Sequence, residues 1–226
     1  MTMNLYSLCV LTALLGLQVN PVKAGGVEKA LDLLDAPVAY SASYQASDGK
    51  GVYTGKVWHQ PGKERRDFDT KGGGQSLVLR KDQDSVFLMQ PSGKWYVAVG
   101  FHAAIALAGG FDAMSVTKLA LGNESLNGMK TNRSHLVAKT LDGREFIGDL
   151  WALPSGVPVK VEGVESEPNG KQTRVSLVQT NIMVGHVGND HFDPPQGYMG
   201  INLKSIPPEK LVQAIQGIMP LLGGKK

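Results

Sequence analysis

Residues 53–68, Tyr-Thr-Gly-Lys-Val-Trp-His-Gln-Pro-Gly-Lys-Glu-Arg-Arg-Asp-Phe, decide the class of fold. The residues on either side of Pro61-Gly62 include the large apolar side chains Tyr53, Val57, Trp58 and Phe68 among polar ones, which is typical of half-buried strands. Proline followed by glycine is a turn-forming pair. The stretch therefore predicts a β-hairpin whose strands run over residues 52–60 and 65–70.

The same signals continue on both sides of this hairpin. Runs rich in Val, Leu, Tyr, Trp and Phe predict strands, and turn-forming pairs such as Asp48-Gly49 and Asp142-Gly143 separate them. The further strands are expected over residues 40–47, 76–81, 85–90, 94–99, 130–139, 145–153, 157–165 and 173–182. Because links this short cannot hold parallel crossovers, the sequence predicts an antiparallel meander of about ten strands.

Helical periodicity occurs in three places. A short amphipathic helix is expected from Val27 to Pro37, and two apolar helices are expected within residues 101–121, on either side of Gly109-Gly110 and ending at Gly122. A closing helix is expected over residues 208–219. Its apolar stripe consists of Leu211, Ile215 and Ile218. The predicted fold class is α+β, mainly β, with one curved antiparallel sheet and helices on one side.

The N-terminal segment is expected to be a secretory signal peptide over residues 1–24. An apolar run over residues 5–19 is followed by Val22 and Ala24, at the minus-three and minus-one positions of a small-residue cleavage site. Cleavage after Ala24 leaves a single domain over residues 25–226 and removes Cys9, the one cysteine. We therefore expect an exported, periplasmic protein, with an uncleaved membrane anchor as the alternative.

Composition excludes several functional classes. The 226 residues are 42% hydrophobic and 19% charged, which is typical of an ordinary globular chain. A formal net charge of +3 is too small for a face that binds nucleic acid. The sequence also contains no signal for a cofactor, and none is expected.

Short motifs resemble a known family. The hairpin over residues 53–68 is similar to the Gly-x-Val-Tyr/Trp, Pro-Gly-Lys-x-Arg hairpin of secreted domains in the lipoprotein carrier (Lol) superfamily. Later blocks follow the order found in uncharacterised secreted relatives of that superfamily. These blocks are residues 77–82, 86–96, 127–128, 142–143, 150–151, 157–160 and 192–198. Together the motifs extend over most of residues 25–226.

The resemblance implies an incomplete antiparallel barrel, or half-barrel, whose concave face is apolar and covered by helices. Carriers of this type bind acyl chains of lipoproteins or similar amphiphiles in the periplasm and transfer them without covalent chemistry. In the Lol carriers an arginine of an early strand is tied to the lid helices. Arg65 and Arg66 lie in the corresponding hairpin, and the sequence leaves open which of them points inward.

Candidate binding residues form two sets, a cavity lining and a lid. The predicted lining consists of apolar residues on different strands, namely Tyr44, Leu79, Leu88, Trp95 and Leu177. Residues 101–121 are expected to act as a movable lid, because a pair of glycines provides a hinge. The predicted lid residues are Ile105, Leu107, Gly109, Gly110, Met114 and Leu119.

Catalytic groups are disfavoured. Ser115 and Lys118 have the spacing of a Ser-x-x-Lys nucleophile motif, but no Lys-Thr-Gly motif accompanies them. Glu64, Asp67 and Asp69 are candidates for an acid/base pair, and Asp67 and Asp69 share a strand face, although charged residues at this position more often protect a solvated strand edge. We therefore expect no catalytic residue.

One segment carries several side chains that are able to bind a metal. His186, Asp190, His191 and Asp193 would suit zinc or another divalent ion. The segment also contains glycine and is polar throughout, which is more typical of an unliganded loop. We therefore expect no metal site.

The sequence thus predicts a non-enzymatic, exported binder or carrier of a hydrophobic ligand, such as a lipid or acyl chains, in the cell envelope. The alternative is a periplasmic regulatory or assembly module that grips a protein partner with the same half-barrel. Grooves for acyl chains and for peptides are both apolar, so the sequence does not separate these two functions. An enzyme acting on an envelope lipid or glycan is a third hypothesis, and peripheral membrane contact is compatible with the first.

Overall fold

A single sheet contains the strands described by the computed structural model, which covers residues 27–29, 36–49, 51–69, 74–107, 115–140 and 142–222. The strands are β1 (Val27–Lys29), β2 (Tyr40–Ser47), β3 (Val52–Gln60), β4 (Lys63–Phe68), β5 (Gln75–Arg80), β6 (Ser85–Gln90), β7 (Trp95–Val99), β8 (Ser115–Leu126), β9 (Met129–Lys139), β10 (Glu145–Ala152), β11 (Pro158–Ser166), β12 (Gln172–Val184) and β13 (Met199–Asn202). The same ranges contain two α-helices, α1 (Phe101–Leu107) and α2 (Pro208–Leu222).

The strand order defines an open half-barrel. Over the described ranges the sheet has 13 strands in the order β1-β8-β9-β10-β11-β12-β2-β3-β4-β5-β6-β7-β13. Neighbouring strands pair antiparallel, except that β13 runs parallel to β7. β1 and β13 lie at opposite edges and do not pair with each other. The predicted fold class, a mainly β half-barrel with helices, is confirmed.

Most predicted strands are confirmed. β2, β3 and β6 begin and end at the predicted residues. β4, β5, β7 and β9–β12 differ from the prediction by one or two residues at their ends. The closing helix begins at Pro208 as predicted, and its stripe buries Leu211 and Ile215 against the core. Period-two patterning combined with turn residues therefore located the hairpins correctly.

The helix predicted to begin at Val27 is wrong for its first three residues. Val27–Lys29 form β1, which pairs antiparallel with Ser115–Thr117 of β8. Backbone hydrogen bonds to a neighbouring strand replace those of a helical turn, and the sequence pattern of three residues does not decide between them. The rest of that predicted helix, over residues 30–35, and the predicted signal peptide lie outside the described residues.

The second apolar helix predicted within residues 101–121 is also wrong. Residues 115–126 form β8, in which Val116 and Lys118 are buried and Leu119 is exposed. A register shift between Ala120 and Gly122 then interrupts the alternation, and Gly122 has a φ of 112°. Because the bulge interrupts the period of two, the apolar residues of this segment have a spacing that resembles a helical repeat. Gly122 lies at the bulge and not at the end of a helix.

The sheet buries apolar side chains on both faces. We call the face that bears Tyr44 the inner face, because α1 and α2 pack on it through Phe101, Ile105, Leu211 and Ile215. The opposite, outer face carries a second, smaller core. This core consists of Val78, Phe87, Met89, Ala98, Val187 and Phe192.

Candidate functional site

The strand register determines which side chains share the inner face, since directly paired residues of neighbouring strands point to the same side. Leu177 pairs with Ala46, which lies two residues from Tyr44 on the same side of β2. Successive direct pairs then link Tyr44 to Gly55, Phe68 and Gln75 on β3, β4 and β5. By the same direct pairing, Leu79, Leu88 and Trp95 share this side of β5, β6 and β7. All five residues predicted to line the cavity therefore lie on one face.

These five residues differ in exposure. Tyr44 and Leu177 are buried, with 3% and 2% of their surface exposed. Leu79, Leu88 and Trp95 are half-buried and pack against the inner core from its β5–β7 side. Contact with a ligand stays a prediction for all five.

The adjacent arginines of β4 lie on opposite faces. Arg66 is on the inner face with 1% of its surface exposed, its Nε donates to Glu64 Oε1 at 2.7 Å, and its guanidinium lies 5.7 Å from the centre of the Tyr44 ring. Arg65 is on the outer face, where its Nε donates to Asp67 Oδ1 at 2.7 Å and its guanidinium lies 5.5 Å from the Trp58 ring. Of the two arginines, Arg66 is the one that points inward.

Glu64 and Arg66 belong to a buried polar cluster on the inner face. His59 Nδ1 lies 3.4 Å from Glu64 Oε2, and His59 Nε2 donates to the carbonyl of Ala36 at 3.1 Å. Burial acts to raise the pKa of Glu64, but the Arg66 guanidinium and the His59 side chain outweigh it, so the pKa of Glu64 lies below its ordinary value. The carboxylate is therefore held in its charged form although it is buried.

Two tyrosines and a glutamine complete this cluster. The Tyr40 ring stacks on His59 with 5.2 Å between ring centres, and the Tyr44 hydroxyl donates to the carbonyl of Asp67 at 2.9 Å. Gln179 pairs directly with Tyr44 in the register of β12 and β2, and it is fully buried. Burial raises the pKa of Tyr40 and of Tyr44 well above the ordinary value. Both phenols therefore stay neutral at physiological pH.

His59, Tyr40 and Gln179 are members of the site that the sequence motifs do not single out, and Glu64 is singled out only as a candidate for an acid/base pair. A signal is present, because each lies on the same side of its strand as buried apolar residues, such as Val57, Phe68 and Leu177. Polar side chains at core positions of a strand indicate a buried polar cluster. The partner strands of that cluster are set by the pairing of β2 with β12, which no local pattern reveals.

The first of the two helices predicted for the lid is present, and its role as a lid stays a prediction. α1 contains Ile105 and Leu107, and Ile105 is buried with 8% of its surface exposed. Gly109, Gly110 and Met114 lie outside the described residues. Leu119 is on the outer face of β8, opposite His135, with 54% of its surface exposed, so its assignment to a lid over the inner face is wrong.

The segment predicted as an unliganded loop covers the outer core. His191 stacks on Trp58 with 4.9 Å between ring centres. The Arg80 guanidinium donates a hydrogen bond to the carbonyl of Phe192 and forms an ion pair with the carboxylate of Asp193. Among the described side chains, no three His, Cys, Asp or Glu residues are grouped to hold a metal ion. The polar residues of this segment thus have structural contacts with β3 and β5.

The two catalytic hypotheses gain no support from geometry. Ser115 and Lys118 are three residues apart in β8, so one is exposed and the other buried on the opposite face. Asp67 forms an ion pair with Arg65, and Asp69 accepts a hydrogen bond from Thr54 at 3.2 Å. Both Asp side chains therefore have surface partners.

In the described part of the chain, no helix is long and apolar enough to cross a membrane.

Several solved structures are similar to parts of this chain, with TM-scores below 0.5. An uncharacterised conserved protein from Thermus thermophilus has 13% sequence identity and a TM-score of 0.49, over 73% of this chain and 90% of that chain. A structure of the Pseudomonas aeruginosa MucA/MucB complex has 14% identity and a TM-score of 0.44, over 71% of this chain and 57% of that chain. A LolA-superfamily protein from Nitrosomonas europaea has 9% identity and a TM-score of 0.36, over 83% of this chain and 97% of that chain.

The three identities are below 15% and the three TM-scores are below 0.5, so nothing about the function of this chain follows from these similarities. The structures include a member of the superfamily that the sequence motifs resemble. No family model matches the chain, and no curated protein sequence matches it either.

Proposed function

We propose that the chain is an exported, non-enzymatic binder or carrier of a hydrophobic ligand, such as lipid acyl chains, in the cell envelope. The observation that carries this proposal is the inner face of β5–β7. Leu79, Leu88 and Trp95 are only half-buried there, beside a closed apolar core and next to the short helix α1. Large apolar side chains that are partly open to solvent, rimmed by a few polar groups, are typical of ligand grooves.

Ligand uptake would exchange contacts rather than create an empty core. Phe101 and Ile105 bury α1 against the inner face, and an entering acyl chain would replace these contacts with its own. The exchange is nearly neutral in buried apolar area, so uptake and release both stay reversible. The hinge at Gly109-Gly110 belongs to this proposal, and replacing both glycines by alanine is expected to slow ligand exchange more than it changes the folded content.

Dye binding tests the inner face. Wild-type protein should bind the uncharged dye 1-N-phenylnaphthylamine, and Leu88→Asp should weaken that binding at least about tenfold, because burying a side chain of this size contributes about 1.5–3 kcal/mol. Leu119→Asp is the matched control, since Leu119 is exposed on the outer face. Leu88→Ala serves where Leu88→Asp does not fold.

The result that overturns the proposal is equally direct. A folded Leu88 variant with unchanged dye affinity, or a Leu119 variant that loses it equally, would show that the inner face is not the binding site. Circular dichroism and the thermal midpoint establish folding in each case.

Mass spectrometry of an organic extract from gently purified protein then identifies the ligand class. A bound lipid supports the carrier, whereas a bound peptide and no lipid supports the alternative of a module that grips a protein partner.

Export is tested by the mass of the processed chain. The apolar run over residues 5–19 and the Val22-Lys23-Ala24 boundary support cleavage after Ala24. Protein recovered from the periplasm is therefore expected to begin at Gly25. A chain that retains Met1 and stays in the inner membrane would contradict a soluble periplasmic carrier.

A further inference from the structure

The chain contains two Asn-Gly pairs, and both lie in exposed turns between neighbouring strands. Asn127-Gly128 joins β8 to β9, and Asn169-Gly170 joins β11 to β12. An asparagine that precedes glycine is chemically labile, because glycine has no side chain to hinder attack of its backbone nitrogen on the amide carbon of the asparagine. The two pairs therefore have similar intrinsic reactivity, and their surroundings in the fold decide which of them reacts.

The turn that contains Asn169 holds the reacting groups in place. The Gly170 N–H, which carries the attacking nitrogen, donates to the carbonyl of Glu167 at 2.9 Å. The Asn169 side chain accepts from the backbone N–H of Lys171 at 2.9 Å and donates to the Glu167 carboxylate at 3.1 Å. β11 also pairs with β10 as far as Ser166, immediately before this turn. Reaction at Asn169 therefore requires several hydrogen bonds to break first.

The turn that contains Asn127 lacks these restraints. Asn127 and Gly128 have φ angles of 53° and 78°, as in a type I′ turn. In the described part of the chain, no hydrogen bond involves the Asn127 side chain or the Gly128 N–H. The hairpin also extends beyond the rest of the sheet, because β10 pairs with β9 only as far as Asn132. A two-stranded ribbon is marginally stable, so this turn opens locally at a small cost.

We propose that Asn127 is a site of spontaneous deamidation in the folded protein and that the fold protects Asn169. The Gly128 nitrogen attacks Asn127 Cγ and loses its proton, the bond between Cγ and Nδ2 breaks, and ammonia leaves, which gives a succinimide. Water then opens the ring. Breakage of the bond between the Gly128 nitrogen and Cγ gives aspartate, whereas breakage of its bond to the backbone carbonyl carbon gives isoaspartate. Water is the only co-reactant.

The modification changes the end of the β8–β9 hairpin. Either product adds a negative charge to the turn, and isoaspartate also adds a methylene group to the main chain. A two-residue loop sets the register of its hairpin, so the longer main chain is incompatible with the direct pairing of Leu126 and Met129. This inference concerns a surface turn and does not depend on the proposed ligand.

Comparison of the two pairs in folded and unfolded protein tests the proposal. The full chain is incubated in mildly alkaline buffer, with and without guanidinium chloride. Trypsin then releases residues 119–130 and 161–171, and mass spectrometry follows the replacement of the amide NH2 by OH. In the folded protein Asn127 should react at least about tenfold faster than Asn169, because of the hydrogen bonds that hold Asn169. In guanidinium chloride the two rates should be comparable, since both sites then precede glycine in an open chain.

Two variants test the cause and the chemistry. Glu167→Ala removes the carboxylate that binds the Asn169 amide and should accelerate reaction at Asn169 by about threefold to tenfold, while the rate at Asn127 stays unchanged. Asn127→Asp supplies the reference peptide for aspartate. A second product of the same mass that elutes separately from this reference is isoaspartate, which direct hydrolysis of the side chain does not form.

Three results would overturn the proposal. These are equal rates at the two sites in the folded protein, an unmodified Asn127 in folded protein when the unfolded chain reacts, and aspartate as the sole product at Asn127. Circular dichroism of the incubated sample establishes that the reaction takes place in the folded chain.

Discussion

Arg65 and Arg66 show how one residue step along a strand changes the role of a side chain. Arg66 is buried against Glu64, whereas Arg65 pairs with Asp67 on the partly solvated outer face. Replacing Arg66 with Met should lower the free energy of unfolding by about 3–5 kcal/mol, because the Glu64 carboxylate then stays buried without its cation. Arg65→Met is the matched control and should cost about 1 kcal/mol or less. Urea denaturation measures both.

A double variant tests the cause of the Arg66 effect. Glu64→Leu combined with Arg66→Met removes both charges, and the free energy of unfolding should recover most of the loss seen in Arg66→Met alone. No recovery in the double variant would show that the cost comes from lost packing of the arginine side chain.

Glu64 also predicts a pH dependence of stability. Its pKa is lower in the folded chain than the ordinary value of 4.5, so the unfolded chain binds the proton more readily. The stabilisation from Glu64 is therefore complete above about pH 4.5 and is lost as the pH falls through the lower folded pKa. Urea midpoints at pH 7 and pH 4 should differ less in the double variant than in the wild type. An equal decrease in both would assign the acid sensitivity to surface carboxylates such as Asp82 and Asp149.

The sequence predicted the residue-scale site incompletely, for a physical reason. Alternation along β4 places Arg66 with Phe68 and Arg65 with Asp67, so the inward arginine could have been derived from the strand pattern alone. The other members of the buried polar cluster could not all be derived this way. Tyr40 is on β2 and Gln179 is on β12, and those strands meet only through tertiary pairing.

At the scale of elements, two glycines allow an aromatic ring to lie directly against the backbones of β10 and β11. Gly148 of β10 pairs with Gly163 of β11, and the Phe146 ring lies over both. A Cβ atom at Gly148 would lie 2.6 Å from the ring, so Gly148→Ala should destabilise the protein by about 1–3 kcal/mol. Gly217→Ala is the control in α2, where no atom lies within 4 Å, and should stabilise it by about 0.5–1 kcal/mol. Thermal unfolding checks both signs.

The elements that were predicted correctly share a strong local signal. β2 and β3 combine alternating burial with a defined turn at one end or both, and β6 is a short, mainly apolar run between turn residues. β8 lacks that consistency, because the bulge near Gly122 breaks the alternation and the residues beyond it are exposed on both faces. β13 consists of four residues paired in parallel with β7, a tertiary contact without a sequence signal of its own.

At the scale of the whole molecule, the proposed function predicts unequal mobility. α1 is seven residues long and packs on the inner face mainly through Phe101 and Ile105, whereas β2 and β12 are paired on both sides. Hydrogen exchange of residues 101–107 should therefore change more on addition of 1-N-phenylnaphthylamine than exchange of β2. Equal and unchanged protection of α1 and β2 in both states would contradict α1 as the moving cover.

The seam between β2 and β12 has a consequence for the way this chain is made. It joins residues far apart in sequence, such as Tyr44 and Gln179, in the middle of the sheet. Sheets dominated by such distant pairings fold slowly, since the entropy of closing a long loop must be overcome before contacts form. The early hairpins can form as they emerge from the ribosome, but the central seam waits for β12. Under the proposed export, this delay would favour an open sheet while the chain is threaded through a membrane.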